Sequence, residues 1–408
     1  MLTDYVILGL CVVVLLSYFF DITFKYSKIP GVILLIALGI VLQIIVNYTG
    51  FEIPNLRPVL PVLGTLGLIL IVMEASLEIK FAKNKLKGLL QIITASVVLT
   101  ILSVSILTVA FIKIWNLPLA ATLLNIIPLA VISSAVAISS SGLLNRGHRE
   151  FITLESAFSD IFGILLFDFI ILNYESFTVG LIDLTSKILV MIPIAIILAI
   201  SLAWLLYRIN YHVNYIIILT VVVMAYALAK LIYLPGLFFV VIFGLLLSNI
   251  HLFQNALIQK HIDFKTFVDF NKFRKDIDAF KKILAEFTFI VRSFFFIMFG
   301  FYVNLSGLID MYSITLAAAI TGFLFIMRLI FLYFFIGKNS LRLVWFAPRG
   351  LITILLFMSV PEMFRIEIIN EEIVTLVILM SILVMMMGNM FPNKKTDAET
   401  QPSVSSEP

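Results

Sequence analysis

Cysteine is almost missing from this chain. Cys11 is its one thiol, which excludes an internal disulfide and any cysteine-based metal cluster. Histidine is scarce as well: His148, His212, His251 and His261 all fall in polar breaks between apolar runs, so no imidazole within a run can serve as a metal ligand or general base. Charged residues make up 13% of the 408 residues, against about 25% in soluble domains. The net charge of +4 is too small to point to nucleic acid. A basic start is also lacking, since the chain opens Met1-Leu2-Thr3-Asp4, so the first apolar run is expected to stay as a span and not be cleaved as a signal. What is present is apolar, with 62% hydrophobic residues and a mean hydropathy of +1.14. An all-α, polytopic membrane protein follows, because helices satisfy their own backbone polar groups in lipid.

Apolar runs read against polar breaks predict thirteen spans, at about 4–20, 29–48, 58–77, 88–113, 118–141, 151–173, 181–207, 213–233, 235–250, 281–303, 312–336, 340–360 and 372–390. With the N-terminus outside, only eight of the 28 lysines and arginines fall outside the cytoplasmic segments. Arg57, Lys113, Lys187, Lys230 and Arg365 lie in outer loops or at span ends, while Arg292, Arg328 and Arg349 lie within spans. The positive-inside rule therefore favours N-terminus out and C-terminus in. Residues 251–282 alternate charges with phenylalanines, which fits either an amphipathic helix on the inner surface or a plain charged connector. The polar tail, 391–408, is expected to be disordered.

Span 2 begins IPGVILLIALG and span 9 begins LPGLFFVVIFG, so Pro30, Gly31 and Gly39 correspond to Pro235, Gly236 and Gly244. The offset of seven spans is odd, so two six-helix halves would enter the membrane in opposite senses, as in inverted-repeat transporters. The same offset relates span 5 to span 12. Both carry mid-membrane breaks, at Pro128 with Ser133-Ser134 and at Pro348-Arg349-Gly350. Two discontinuous helices crossing at the midplane would expose free backbone groups where ions bind.

Inside span 6 stands LESAFSDIFGILLFD, residues 154–168. An ionisable side chain near the centre of a span costs about 2.5–3.5 kcal/mol on insertion scales, so an acid there signals function. Ser156 and Asp160 are four apart and share a helix face. Ser159 lies beside them, Glu155 opens the span, and Asp168 returns two turns later. A carboxylate can hold a proton or a hard monovalent cation, which also prefers oxygen ligands. Holding one excludes the other, and that exclusion is antiport. Arg328 cannot release a proton at workable pH and is expected to compensate charge, as is Arg349 at the broken helix. Ser156 beside Asp160 lacks a His or Lys base, so the chain is not read as an enzyme.

These residues resemble the monovalent cation/proton antiporter superfamily, and more closely its electroneutral sodium/proton branch. Glu155 to Asp160, ESAFSD, is similar to the branch motif E-S-x-x-N-D, and Glu74 in MEASLE to the glutamate ending span 3. Ile132 to Val136 falls where the family has A-T-D-P-V, Arg328 matches the basic residue of span 11, and Trp345 to Ile354 matches its W-x-x-x-R-G segment. Ser159 and Ser134 replace the usual Asn or Asp and the usual Asp.

The resemblance implies exchange of sodium or lithium for protons, with one proton per cation, by elevator-type alternating access. It implies a cation held at Asp160, Ser156 and Ser133, with Glu74, Ser159 and Ser134 as further cation-binding positions. It also implies a homodimer in the inner (plasma) membrane, serving pH homeostasis and sodium transport without any cofactor. A scaffold at about 4–77 and 213–303 would hold an ion-binding core at about 88–173 and 312–390, joined by a linker helix at about 181–207. Potassium/proton exchange, or a non-transporting sensor or partner on the same fold, are the alternatives.

Overall fold

Proline marks where several helices begin. In the computed structural model Pro30, Pro58 and Pro118 stand immediately before helices, where first-turn amides have no intrahelical partner to lose. The structure describes residues 2–27, 29–50, 56–79, 86–141, 144–174, 186–187, 189–198, 201, 214–231, 234, 236–249 and 270–390. Its helices are α1 (Leu2–Ser27), α2 (Gly31–Thr49), α3 (Val59–Glu78), α4 (Leu86–Trp115), α5 (Leu119–Ala130), α6 (Ser134–Ser140) and α7 (Arg146–Asn173). Then come α8 (Leu189–Leu198), α9 (Asn214–Leu231), α10 (Gly236–Ser248), α11 (Phe270–Tyr302), α12 (Leu305–Ile309), α13 (Met311–Phe335), α14 (Leu351–Met358) and α15 (Glu371–Met390). Short 3₁₀ segments occupy Lys338–Trp345 and Glu362–Phe364.

The described residues contain no strand. Among them, seven helices are long and apolar enough to cross a membrane, and α8, α10 and parts of α1 and α9 are shorter apolar helices. Most of predicted span 7, together with residues 251–269 and the tail from 391, lies outside the described residues.

Two boundaries differ from the sequence reading. Span 6 was expected to open near Glu155, but α7 starts at Arg146, where the Asn145 side chain accepts from the His148 amide at 2.8 Å and caps the helix. Glu155 is therefore well inside the helix and 1% exposed. Residues 270–282 are not a separate surface segment: they form the first turns of α11, which runs on to Tyr302. No proline or glycine interrupts that run before Gly300. Ile277, Phe280 and Leu284 bury one helical stripe in the core.

The helices meet in two sets. In one, α2 and α3 pack on α11, and α10 packs on α3. Gly39 and Gly300 let α2 and α11 approach closely, since a Cβ on Gly39 would collide with the Ile297 carbonyl and one on Gly300 with the Ile36 carbonyl. Small residues allow this contact where lipid supplies no hydrophobic drive for helix association. In the other set α4 packs on α5 and α7, and α13 on α15. The short helix α14 lies between the sets, touching α3, α5, α7 and α15.

Two chain passages break inside this bundle. Pro128 sits in the last turn of α5, where it has no N–H to donate and crowds the carbonyl one turn back. Val131 and Ser133 are extended before α6 begins. In the second passage the 3₁₀ segment ends at Trp345, and 346–350 run non-helically through Pro348 and Gly350 to α14. The breaks touch, with the Ser133 amide donating to the Pro348 carbonyl at 2.9 Å.

Candidate functional site

A broken helix leaves amides unpaired on one side of the gap and carbonyls on the other. Here both sets find partners, and those partners are the residues singled out in the sequence.

On the amide side, the Asp160 carboxylate of α7 accepts from the Ser134 amide through Oδ2 at 3.0 Å. One residue earlier on α7, Ser159 Oγ accepts from the Ile132 amide at 3.0 Å. Two adjacent side chains of α7 thus hold the extended break of the α5–α6 passage.

On the carbonyl side, Arg349 donates through Nε to the Leu129 carbonyl at 2.8 Å and through Nη1 to the Ala347 carbonyl at 2.9 Å. Its own amide donates to Ser381 Oγ of α15 at 2.9 Å. A guanidinium from one broken passage therefore covers the carbonyl end of α5, the end that carries partial negative charge.

Arg328 of α13 lies in a different setting. It forms a bidentate pair with Glu155, Nη1 to Oε1 at 2.8 Å and Nη2 to Oε2 at 2.7 Å, with both side chains 1% exposed. It also donates to the Leu343 carbonyl through Nε at 3.1 Å and Nη2 at 3.0 Å, and to the Phe346 carbonyl at 3.4 Å. Arg328 therefore organises the end of the 3₁₀ segment and neutralises Glu155. Glu155 was not among the expected site residues, because its partner is 173 positions away. The usable signal was the complementary placement of acids in the first half and arginines in the second.

The hydroxyls divide according to what they already bond. Ser156 Oγ donates to the Ile152 carbonyl at 2.7 Å, back along its own helix. It retains lone pairs for a cation but sits one turn before Asp160. Ser133 Oγ and Asp160 Oδ1 are both buried and have no hydrogen-bond partner. Ser133 Oγ faces Gly350, where an added Cβ would press on it at 2.7 Å, so only glycine leaves that oxygen unobstructed.

Glu74 is placed elsewhere. The side chains acting on it are Thr288 and Arg292 of α11, and Glu78 of its own helix. Arg292 reaches across to α6, donating through Nη1 to the Ala135 carbonyl at 3.2 Å. It thereby links α11 to the second half of the broken passage. The crossing thus gathers Ser133, Ser134, Ser159, Asp160 and Arg349. Ser156 lies beside it, Arg328 belongs to the Glu155 pair, and Glu74 faces α11.

A buried polar atom without a partner costs about 1–3 kcal/mol, so two at one crossing need a reason. Both are oxygens, the donor type that suits a hard monovalent cation. No group of three or more His, Cys, Asp or Glu among the described residues could hold a metal ion.

The family described as sodium/hydrogen exchanger, transmembrane, matches residues 11–391. No curated protein matches the chain. Among solved structures, the chain is similar to the sodium proton antiporter MjNhaP1 from Methanocaldococcus jannaschii at pH 8, with 20% identity, a TM-score of 0.69, and coverage of 95% of this chain and 97% of that one. An electron-microscopy map of the same antiporter matches with 20% identity, a TM-score of 0.66 and 94% coverage of each chain. At that identity the likeness establishes a shared fold.

Proposed function

Because this chain belongs to the sodium/hydrogen exchanger family, a family of transporters and not of enzymes, we propose that it exchanges sodium or lithium for protons across the membrane, with Asp160 as the exchanging group. One observation carries this reading: Asp160 is buried at the contact of two broken passages with one carboxylate oxygen bonded and the other unpartnered. A proton and a cation need the same lone pairs on Oδ1, so each displaces the other. Ser133 Oγ offers a second oxygen, and Ser156, Ser159, Ser134 and Glu74 are the further cation-binding positions of this proposal. Arg328 stays charged at all workable pH and is committed to Glu155. That leaves one exchanging carboxylate and supports electroneutral exchange, one proton per cation.

The finer architecture belongs to the same proposal. Thirteen spans in two inverted halves are supported by the packing, since contacts in one half recur seven spans on. Helix α2 on α11 answers α10 on α3, and α4 on α7 answers α13 on α15. A scaffold at about 4–77 and 213–303 and a core at about 88–173 and 312–390 are supported by the same two sets of contacts. Elevator movement of the core, an N-terminus outside, a homodimer and the inner membrane complete the reading, the orientation resting on the sorting of basic residues.

The test is proteoliposomes holding an imposed pH gradient, with sodium, lithium or potassium added in turn. Sodium and lithium should release the gradient in the wild type, and Asp160→Asn should give no release while keeping a monodisperse, thermally cooperative fold. Robust release by Asp160→Asn would overturn the assignment.

A further inference from the structure

Asp168 is left unused by that mechanism. It lies eight residues beyond Asp160 on α7, about 12 Å along the helix axis. It lines a cavity of ≈ 440 Å³ that also touches Ile164, a single turn from Asp160. The walls come from both sets of helices, with Thr65 of α3 and Tyr226 and Lys230 of α9 facing Asp168 of α7 and Ser359 at the end of α14.

The chemistry of this cavity is specific. It offers one carboxylate and three hydroxyls, all oxygen donors of the kind a hard monovalent cation takes. Its other charge is Lys230, whose field acts on Asp168, while the charge of Asp168 acts on Tyr226. A lysine is a compact charge on a flexible stem. Here it is exposed at the cavity rim while Asp168 is half-buried, so it can lean onto the carboxylate and withdraw. This is unlike the rigid fork that Arg328 makes with Glu155.

We propose that this cavity is a cation vestibule leading to Asp160, with Asp168 as a second binding site for a monovalent cation and Lys230 as its tethered competitor. The inference rests on the exchange reading of Asp160 for its direction, because the end of α7 opposite the basic Arg146 and Arg149 is the outer one under the positive-inside rule. Sodium entering from outside displaces the Lys230 ammonium from Asp168 and then passes along α7 to Asp160. With the ammonium displaced, the remaining carboxylate concentrates cations in the cleft, by about tenfold or more where one sign of charge lines it. Asp168 therefore sets the apparent sodium affinity on one face and leaves the maximal rate alone.

Two measurements decide it. In right-side-out and inside-out vesicles, Asp168→Asn should raise the outer sodium KM about tenfold without changing the inner KM or the maximal rate. Lys230→Gln should lower the outer KM, an opposite shift that misfolding cannot produce. Unchanged KM in both variants would mean a static ion pair, and an equal rise on both faces would mean that Asp168 acts on the Asp160 site itself. Either result overturns the vestibule. The second measurement does not need exchange: sodium chloride against choline chloride is titrated into Asp160→Asn protein while thermal stability is followed. Sodium-specific stabilisation should persist there and disappear in the Asp160→Asn, Asp168→Asn double variant. Its absence in Asp160→Asn overturns the vestibule alone, whereas a wild type that moves no protons overturns the reading of Asp160 and leaves this titration to decide the second site.

Discussion

Two arginines and two carboxylates are buried in this protein, and what they bond is opposite in kind. Arg328 and Glu155 meet through both guanidinium nitrogens and both carboxylate oxygens, and the remaining donors of Arg328 go to the Leu343 and Phe346 carbonyls. Arg349 and Asp160 do not pair in this way: Arg349 bonds carbonyls at Leu129 and Ala347, and Asp160 bonds the Ser134 amide. Every strong group in the first arrangement is satisfied. In the second, Asp160 Oδ1 and the neighbouring Ser133 Oγ are left over. A saturated buried pair holds parts together, whereas a carboxylate with a free oxygen can exchange what it binds. These residues thus separate into a saturated arrangement and an open one, although all four side chains are buried.

The sharpest way to break this contrast is to neutralise each carboxylate in turn. Asp160→Asn should remove exchange altogether with little change in melting temperature. Glu155→Gln should do the reverse in kind: it leaves Arg328 buried without its counter-charge, at a cost of about 3–5 kcal/mol, read as a large fall in thermal stability in detergent. If the Glu155–Arg328 pair is a strut, the double variant Glu155→Leu, Arg328→Met should recover most of that stability, as apolar replacements of buried pairs commonly do. Exchange should then return in proportion to folded protein. A stable double variant with no exchange would move the pair into the site.

A smaller effect is expected at the crossing. Ser133→Ala removes one candidate cation oxygen and an unpartnered hydroxyl together, so stability should hold or rise slightly. The sodium KM should increase about tenfold, equivalent to about 1.4 kcal/mol, the scale of one hydrogen-bonding contact. An unchanged KM would remove Ser133 from the site. Gly350→Ala should act in the same direction, by pressing a Cβ toward that oxygen.

The smallest effect belongs to a residue of neither arrangement. Asp310 caps α13 by accepting from the Ser313 amide and hydroxyl, both at 3.0 Å. The bond from the Ser313 amide holds its carboxyl below the usual aspartate range. A lowered folded-state pKa stabilises above the unfolded value and is lost as pH falls through the folded one. Acid melting should therefore show this cap's contribution only below about pH 4. Asp310→Asn, which keeps an acceptor, should flatten that part of the profile and leave neutral stability nearly unchanged.

Much of this was legible before any coordinates. Pro128, Pro348 and Gly350 announced interrupted passages because proline lacks an amide and glycine lacks a side chain, properties that act locally in any fold. Asp160 stood out because a carboxylate is costly in an apolar run. The pairing of Arg328 with Glu155 was not legible, since periodicity says nothing about partners 173 positions apart. The same holds for Ser159, expected as a cation-binding position, whose hydroxyl oxygen accepts from the Ile132 amide of another passage. The bond from Arg292 to the Ala135 carbonyl is a third pairing between distant passages, 157 positions apart.

By itself, the sequence determined that the chain is helical and built for lipid, where its helices break, and which few polar side chains must be explained. These follow from hydropathy, backbone chemistry and the cost of burying charge, all of which are properties of residues and their near neighbours. Only the tertiary structure decided which carboxylate is saturated and which is open. That distinction depends on where amides and carbonyls from distant passages come to rest. The identity of the residues leaves every such pairing possible, and the packing of α7 against the two broken passages selects one.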